Sequence, residues 1–196
     1  MKIILATHNL HKMEEMMDVL KDLNVNLLTL TEFPEIGEIP ETGKTLEENA
    51  LIKARTVNKI TGIPAIGDDT GLEVDALNGA PGVYSARYAG ENVTYMNNVK
   101  KLLLEMSDIE NRQAKFRTVI AYVDDSHEIL AEGDIHGEIS NELKGKNGFG
   151  YDPVFYIPKL NRTFAELSSD EKNKISHRGN ALQNLIKLLH AHWGNV

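Results

Sequence analysis

At 196 residues with 41% hydrophobic content, the chain has enough apolar material for a sizeable core, and no Pro/Ser-rich linker divides it, so one domain over residues 1–196 is expected. It has no cysteine, which excludes disulfides, thiolate nucleophiles and Cys-containing zinc sites. A formal charge of −8 argues against a protein that coats a polynucleotide, yet a small anion can still be held by a few local cations and helix N-termini.

Lys2 to Ala6 is an apolar run that reads as a first buried strand. It is too short for a signal peptide or a membrane span, so a cytoplasmic protein without membrane association is expected. The sequons Asn92-Val93-Thr94 and Asn161-Arg162-Thr163 are then chance matches. Thr7-His8-Asn9 suits the cap of a helix on which Leu10, Met13, Met16, Met17, Leu20 and Leu23 recur at helical spacing and face a core. The junction is suggestive, because a strand ends where a helix begins with Lys12 on its first turn. Free N–H groups, the helix dipole and a full positive charge there suit a phosphate. An ordinary N-cap with a solvated Lys fits the same stretch.

Residues 31–44, TEFPEIGEIPETGK, read as an acidic loop. Gly37 to Thr45 resembles a phosphate-binding Walker loop but has five residues where four are needed, includes Pro40 and follows no strand, so that reading is rejected. Thr45-Leu46-Glu47-Glu48 is instead a capping box opening a helix with Leu46, Ala50, Leu51, Ala54, Val57 and Ile60 on its apolar face. Glu41, just ahead of it, is placed either to steady the helix N-terminus or to join Asp69 at a metal.

Gly62 to Ile66 reads as a short buried strand from whose end Asp68 and Asp69 emerge into a Gly-rich loop running to Gly90. Strand ends of this kind are where α/β sheets place ligands. An Asp-Asp pair by itself is often a solvated turn; held together, the two acids call for a cation, and hard oxygen ligands favour Mg²⁺ or Mn²⁺.

Thr94 is expected to cap a structural helix with Met96, Val99, Leu102, Leu103 and Met106 inward. Ala114 to Val123 and Glu128 to Ile139 read as an antiparallel hairpin turning at Asp124 to His127, its second strand interrupted by Gly133 and Gly137. The loop Gly145 to Pro153 combines three glycines, Phe149, Tyr151 and Asp152, and leads into a strand at 154–157. Phe149 or Tyr151 suits stacking on a base, and a tight turn with buried aromatics is the other reading. Ser168-Ser169-Asp170-Glu171 is a second capping box, followed by Lys172 and Lys174. Leu182, Leu185, Ile186, Leu189 and Trp193 form the inner face of a last helix, where His190 and His192 suit the helix dipole better than a metal.

Four separated segments, ATHNLHK at 6–12, ETGKTLEENA at 41–50 with GDDTGLEVDALNGAPGVYSARY at 67–88, GFGYDPVF at 148–155 and EKNKISHRGNAL at 171–182, resemble in order the inosine triphosphate pyrophosphatase family. Its members hydrolyse non-standard purine nucleoside triphosphates (ITP, dITP, XTP) to the monophosphate and pyrophosphate. The resemblance runs end to end, with His8 where the family usually has Gly and Thr70 in place of the commoner Ser. It implies an α/β fold with an elongated mixed sheet flanked by helices, two lobes with a nucleotide cleft between them, and a homodimer. It also implies that Thr7, His8, Asn9, Leu10, His11 and Lys12 hold the phosphate chain. Glu41 and Asp69 would bind Mg²⁺, with Mn²⁺ as a possible substitute; Asp69 would accept the proton and Thr70 contact substrate. Phe149, Gly150, Tyr151, Asp152, Lys172, His177 and Arg178 would bind the base and nearby atoms.

The chemistry of the residues fits that expectation: water attacks the α-phosphorus, pyrophosphate leaves, and Asp68 or Asp69 aligns or deprotonates the water. A donor from His177, Arg178 or loop N–H groups to purine O6 would disfavour adenine. Two other classes are weighed. A nucleotide-binding regulator has no use for extra acids beside an anion, and an aspartyl-phosphate phosphatase needs an alternating Asp spacing that Asp68-Asp69-Thr70 lacks.

Overall fold

The computed structural model describes residues 1–21, 23–91 and 93–194; Asn92, which opens one of the two sequons, lies outside them. The chain divides into two compact units, one drawn from residues 1–69, 118–133 and 177–196, the other from 70–117 and 134–176.

In the first unit, β1 (Lys2–Leu5) lies parallel between β2 (Asn26–Thr29) and β3 (Ala65–Val74), with Ile4 level with Leu28 on one side and Ala65 on the other. Parallel neighbours need crossover connections, and α1 (Leu10–Leu20) and α2 (Leu46–Thr61) supply them. Asn9 caps α1 by accepting the Lys12 N–H, and Thr45 caps α2 by accepting the Glu48 N–H. The predicted box at Thr45 is only half formed, because the Glu48 carboxylate takes the N–H of Lys44. Ile3, Leu5, Met16, Leu20, Ile66 and Tyr122 pack with Leu182, Leu185 and Leu189 of α5 (His177–Trp193) in one core. Leu10 and Met17, expected to face inward, are exposed.

The unit assignment changes inside β3, after Asp69. Its remaining residues pair antiparallel with the short β4 (Pro81–Gly82), with Leu72 opposite Gly82. In this second unit α3 (Tyr95–Glu105) is capped by Thr94 and Asn97, and α4 (Ser169–Ile175) by Ser168 and Glu171, both as reciprocal boxes. Val99, Leu102 and Met106 enter a core with Phe116, Tyr151, Phe155 and Phe164, whereas Met96 is exposed.

The expected hairpin is β5 (Gln113–Val123) and β6 (Glu128–Ile139), closed by the Asp124 N–H donating to the His127 carbonyl. β7 (Phe155–Ile157) and β8 (Arg162–Thr163) continue antiparallel from the end of β6. The strands follow the order β2-β1-β3-β5-β6-β7-β8, a mixed sheet, with five α-helices among the described residues.

Two expectations about glycine are corrected. β6 is not interrupted at Gly133 or Gly137. A Cβ on Gly133 would lie 2.5 Å from the His177 carbonyl oxygen, so the glycine admits the start of α5 against the strand. β3 likewise does not stop before Asp68 but runs through the acids to Val74, and Gly67 lets α2 approach so closely that a Cβ would sit 2.5 Å from the Ala50 carbonyl. Among the described residues no helix is long and apolar enough to cross a membrane.

Candidate active site

Asp68 and Asp69 are consecutive residues of a strand, so their side chains leave opposite faces of the sheet. Both are buried, and each meets a different set of partners. Asp68 points toward α1 and α5: its Oδ2 accepts from Arg178 Nε at 3.3 Å and Nη2 at 3.2 Å and lies 3.1 Å from Lys12 Nζ. Arg178 Nη1 also pairs with Glu15, one turn along α1 from Lys12. Burial alone would push the Asp68 carboxyl up, but the Lys12, Arg178 and Lys53 cations together hold it well below the ordinary carboxylate range. Lys12 itself is shifted down, because burial outweighs what Asp68 returns. Arg178 is shifted up: burial opposes its charge, and Asp68 and Glu15 overcome that.

Asp69 points toward α2. Asn49 Nδ2 donates to it at 3.0 Å and Lys53 Nζ at 3.4 Å, and the same ammonium donates to Glu41 at 2.8 Å. Asn49 is in turn oriented by the Gly43 N–H, which donates to its Oδ1 at 2.8 Å. Burial raises the Asp69 carboxyl above its usual value; Lys53 and Lys12 pull it back only in part, and Glu41 adds to the rise. Lys53 is stabilised as a cation, since Asp69, Asp68 and Glu41 outweigh its burial. Neighbouring acids are therefore perturbed in opposite directions: one locked as a carboxylate between fixed cations, the other made more basic beside a hard-oxygen pair.

Lys12 and Arg178 beside Asp68, and Lys53 beside Asp69, bring protein cations to the two acids. Glu41 and Asp69 keep the donor chemistry for a hard divalent ion, and the shared Lys53 ammonium marks where positive charge is favoured. His8 Nε2 is 2.6 Å from the Gly37 carbonyl, and the Asn9 N–H donates to Thr7 Oγ1 at 3.2 Å, fixing the turn ahead of α1. Leu10 and His11 are exposed on the first turn of that helix.

In the second unit, Asp152 is buried and accepts the Phe149 N–H at 2.9 Å and Lys172 Nζ at 2.7 Å. The Lys172 ammonium lies 4.8 Å from the Phe149 ring centroid, with Tyr95 on that ring at 5.9 Å. Gly148, at φ +72°, has no room for a Cβ, which would fall 2.0 Å from Asp152 Oδ2. The two aromatics of the turn differ: Tyr151 belongs to the core and donates its hydroxyl to the Ser85 carbonyl at 2.9 Å, while Phe149 is partly exposed. Gly150, at φ +62°, has open space where a Cβ would point. Thr70 follows Asp69 on β3 and is partly exposed. His177 and Arg178, buried at the start of α5, belong to the first unit, whereas Lys172 belongs to the second.

Three site residues went unread in the sequence. Asn49 and Lys53 are four residues apart on the otherwise apolar face of α2, and a polar pair at that spacing on a buried stripe was the available signal. Glu15, three residues from Lys12, carried none.

The Ham1 family model matches residues 3–188. The chain belongs to the Ham1 family. Its Ham1 relatives include the dITP/XTP pyrophosphatase of Thermoanaerobacter pseudethanolicus, 55% identical over 188 residues that cover 94% of each chain. The dITP/XTP pyrophosphatase of Coxiella burnetii is 48% identical over 194 residues, 96% of each. Among solved structures, a HAM1 protein from Coxiella burnetii matches with a TM-score of 0.90 at 47% identity, covering 97% of this chain and 99% of that one. The Staphylococcus aureus Ham1 protein matches at 0.88 and 40% identity, covering 98% and 100%. The mixed α/β sheet expected from the motifs is therefore the Ham1 fold, and the pyrophosphatase names of the relatives agree with the resemblance that the motifs carry.

Proposed function

We propose that this protein hydrolyses non-standard purine nucleoside triphosphates such as dITP, ITP and XTP to the monophosphate and pyrophosphate, clearing them from the nucleotide pool. The observation that carries the reading is the placement of Asp68 and Asp69 on opposite faces of β3, Asp68 against Lys12 and Arg178 and Asp69 beside Glu41, Asn49 and Lys53. The names of near-full-length relatives support the substrate class.

Glu41 and Asp69 would hold Mg²⁺, which supplies charge neutralisation at the phosphates when bound. Lys12 and the N–H groups at the start of α1 would bind the phosphate chain, with Asp68, Arg178 and Glu15 fixing where the Lys12 ammonium stands. Asp69 would orient a water toward the α-phosphorus and take its proton. Asn49 and Lys53 hold that carboxylate from the far side and leave it few orientations. Phe149 offers the ring face for a base, and Lys172 and Asp152 stiffen the turn that carries it. His177, Arg178 or loop N–H groups would donate to purine O6 and disfavour adenine. The family resemblance also carries a homodimer, to be checked by light scattering.

The test is pyrophosphate release from dITP, ITP, XTP, GTP and ATP at equal concentration, with Mg²⁺ and with EDTA. Release confined to the first three and abolished by EDTA is expected, and Asp69→Asn should fold yet lose most turnover. Orthophosphate as the only product, or near-normal turnover in folded Asp69→Asn, would refute the mechanism; nucleotide binding without cleavage would favour a regulator.

A further inference from the structure

The two ends of the β5–β6 hairpin turn and the last turn of α5 bring together three side chains that the proposed reaction does not use. Asp124 Oδ1 lies 3.5 Å from His127 Nδ1, and Asp124 Oδ2 lies 3.5 Å from His192 Nε2. One ligand atom from each of the three residues lies within 4.8 Å of the others, and the two imidazole centroids are 4.3 Å apart. We propose that Asp124, His127 and His192 form a binding site for a divalent transition ion of the zinc class.

The geometry is close to what such an ion needs. Metal–nitrogen and metal–oxygen bonds of about 2.0 to 2.2 Å in a tetrahedron place neighbouring ligand atoms about 3.3 to 3.6 Å apart, the spacing that Asp124 Oδ2 already has to His192, while His127 stands at that distance from the other oxygen. The remaining adjustment is a closer approach of the two imidazoles, and His127, whose side chain is 56% exposed, is free to rotate toward it. A fourth position is left for water.

The central ligand is held in advance. Asp124 Oδ1 accepts the N–H groups of Ser126 and His127, each at 2.8 Å, and Oδ2 accepts the Tyr122 hydroxyl at 3.1 Å. Outer hydrogen bonds of this kind orient a ligating carboxylate and cost no further ordering when an ion arrives. Those three contacts use both lone pairs of Oδ1 and one of Oδ2, which leaves a lone pair on Oδ2 for a metal, since a carboxylate offers about four such sites. Trp193 and Tyr122, edge to face at 6.1 Å, form an apolar wall beside the cluster. His192 stands on the last turn of a 17-residue helix, where the dipole favours positive charge. Two imidazoles and one carboxylate select zinc, cobalt or nickel over magnesium, so this site and the Glu41–Asp69 pair would take different ions. Bound metal would fasten the end of α5 to the hairpin turn, both in the first unit.

The experiment is a calorimetric titration of zinc into the full chain, freed of any affinity tag and stripped of metals, in excess Mg²⁺ to fill the all-oxygen site. One zinc per chain is expected, weakened about tenfold or more in His127→Ala and in His192→Ala. Cobalt in the wild type should give the visible absorption of a four-coordinate ion and lose it in the double variant, and zinc should raise the melting temperature of the wild type only. Both histidines lie at the surface end of their elements, so the variants keep the fold, which circular dichroism checks. Equal zinc affinity in wild type and double variant, or a cobalt spectrum that survives in the double variant, overturns the site.

Discussion

Replacing Lys53 with Met keeps the aliphatic stem and removes the charge that Glu41 and Asp69 share. At separations of 2.8 and 3.4 Å and an effective dielectric of about 20, the two attractions amount to about 6 and about 5 kcal/mol. Most of that is offset by the desolvation of the three groups, and breaking a buried pair from one side leaves a net loss of about 3 to 5 kcal/mol. Glu41 keeps 29% of its side-chain exposure and can recover some hydration, which puts the expected loss at the lower end, about 3 kcal/mol. For a chain of this size that corresponds to a fall of about 6 to 12 °C in melting temperature without metal. Adding Mg²⁺ should return part of the loss, and should stabilise the variant more than the wild type, because the ammonium no longer competes with the ion. Calorimetric melting of both proteins, with and without Mg²⁺, measures this. A variant that melts within about 2 °C of wild type without metal would show that the shared cation contributes little. Equal stabilisation of both by Mg²⁺ would refute the placement of the ion at Glu41 and Asp69.

Gly67→Ala forces a methyl group against the Ala50 carbonyl and should destabilise by about 1 to 3 kcal/mol, read from urea midpoints, whereas Ala at the open Gly150 edge meets no neighbour and tests backbone strain alone. Because the Asp68 carboxyl is lower in the folded chain than in the unfolded one, its contribution is fully present above about pH 4, the unfolded value, and is lost as pH falls toward the folded value. Urea unfolding at pH 7, 5 and 3.5 should show this loss below about pH 4, and Arg178→Met should flatten it; an unchanged acid slope in that variant would discount the pair. Phe149→Ala removes the partly exposed ring and should raise KM for dITP by about 5- to 150-fold, the range of about 1 to 3 kcal/mol for stacking on one base, with a smaller loss of stability from the Lys172 and Tyr95 contacts.

What local sequence could show, it showed well. Asn9, Thr45, Thr94 and Ser168 all cap the helices assigned to them, because a cap is chosen by residues within one turn of it. The failures have a common cause in distance. Two acids with Gly67 and Gly71 read as a loop until the partners are known, and Asp68 is made tolerable inside a strand by Arg178, 110 residues away. Glycine in such a strand serves helices and backbones that pass close by, at Gly67 and Gly133, and not a bend. Within the candidate site, motif residues were legible as types. The division of labour between Tyr151, buried in the core, and Phe149, with an open ring, depended on packing that no spacing encodes. The same holds for Lys53 and His192, whose partners lie on other elements.

The placement of Asp68 and Asp69 on successive positions of β3 makes this strand a ruler. Adding or deleting one residue between Ile66 and Asp68 would turn both acids to the opposite face of the sheet, taking Asp68 from Lys12 and Arg178 and Asp69 from Asn49 and Lys53.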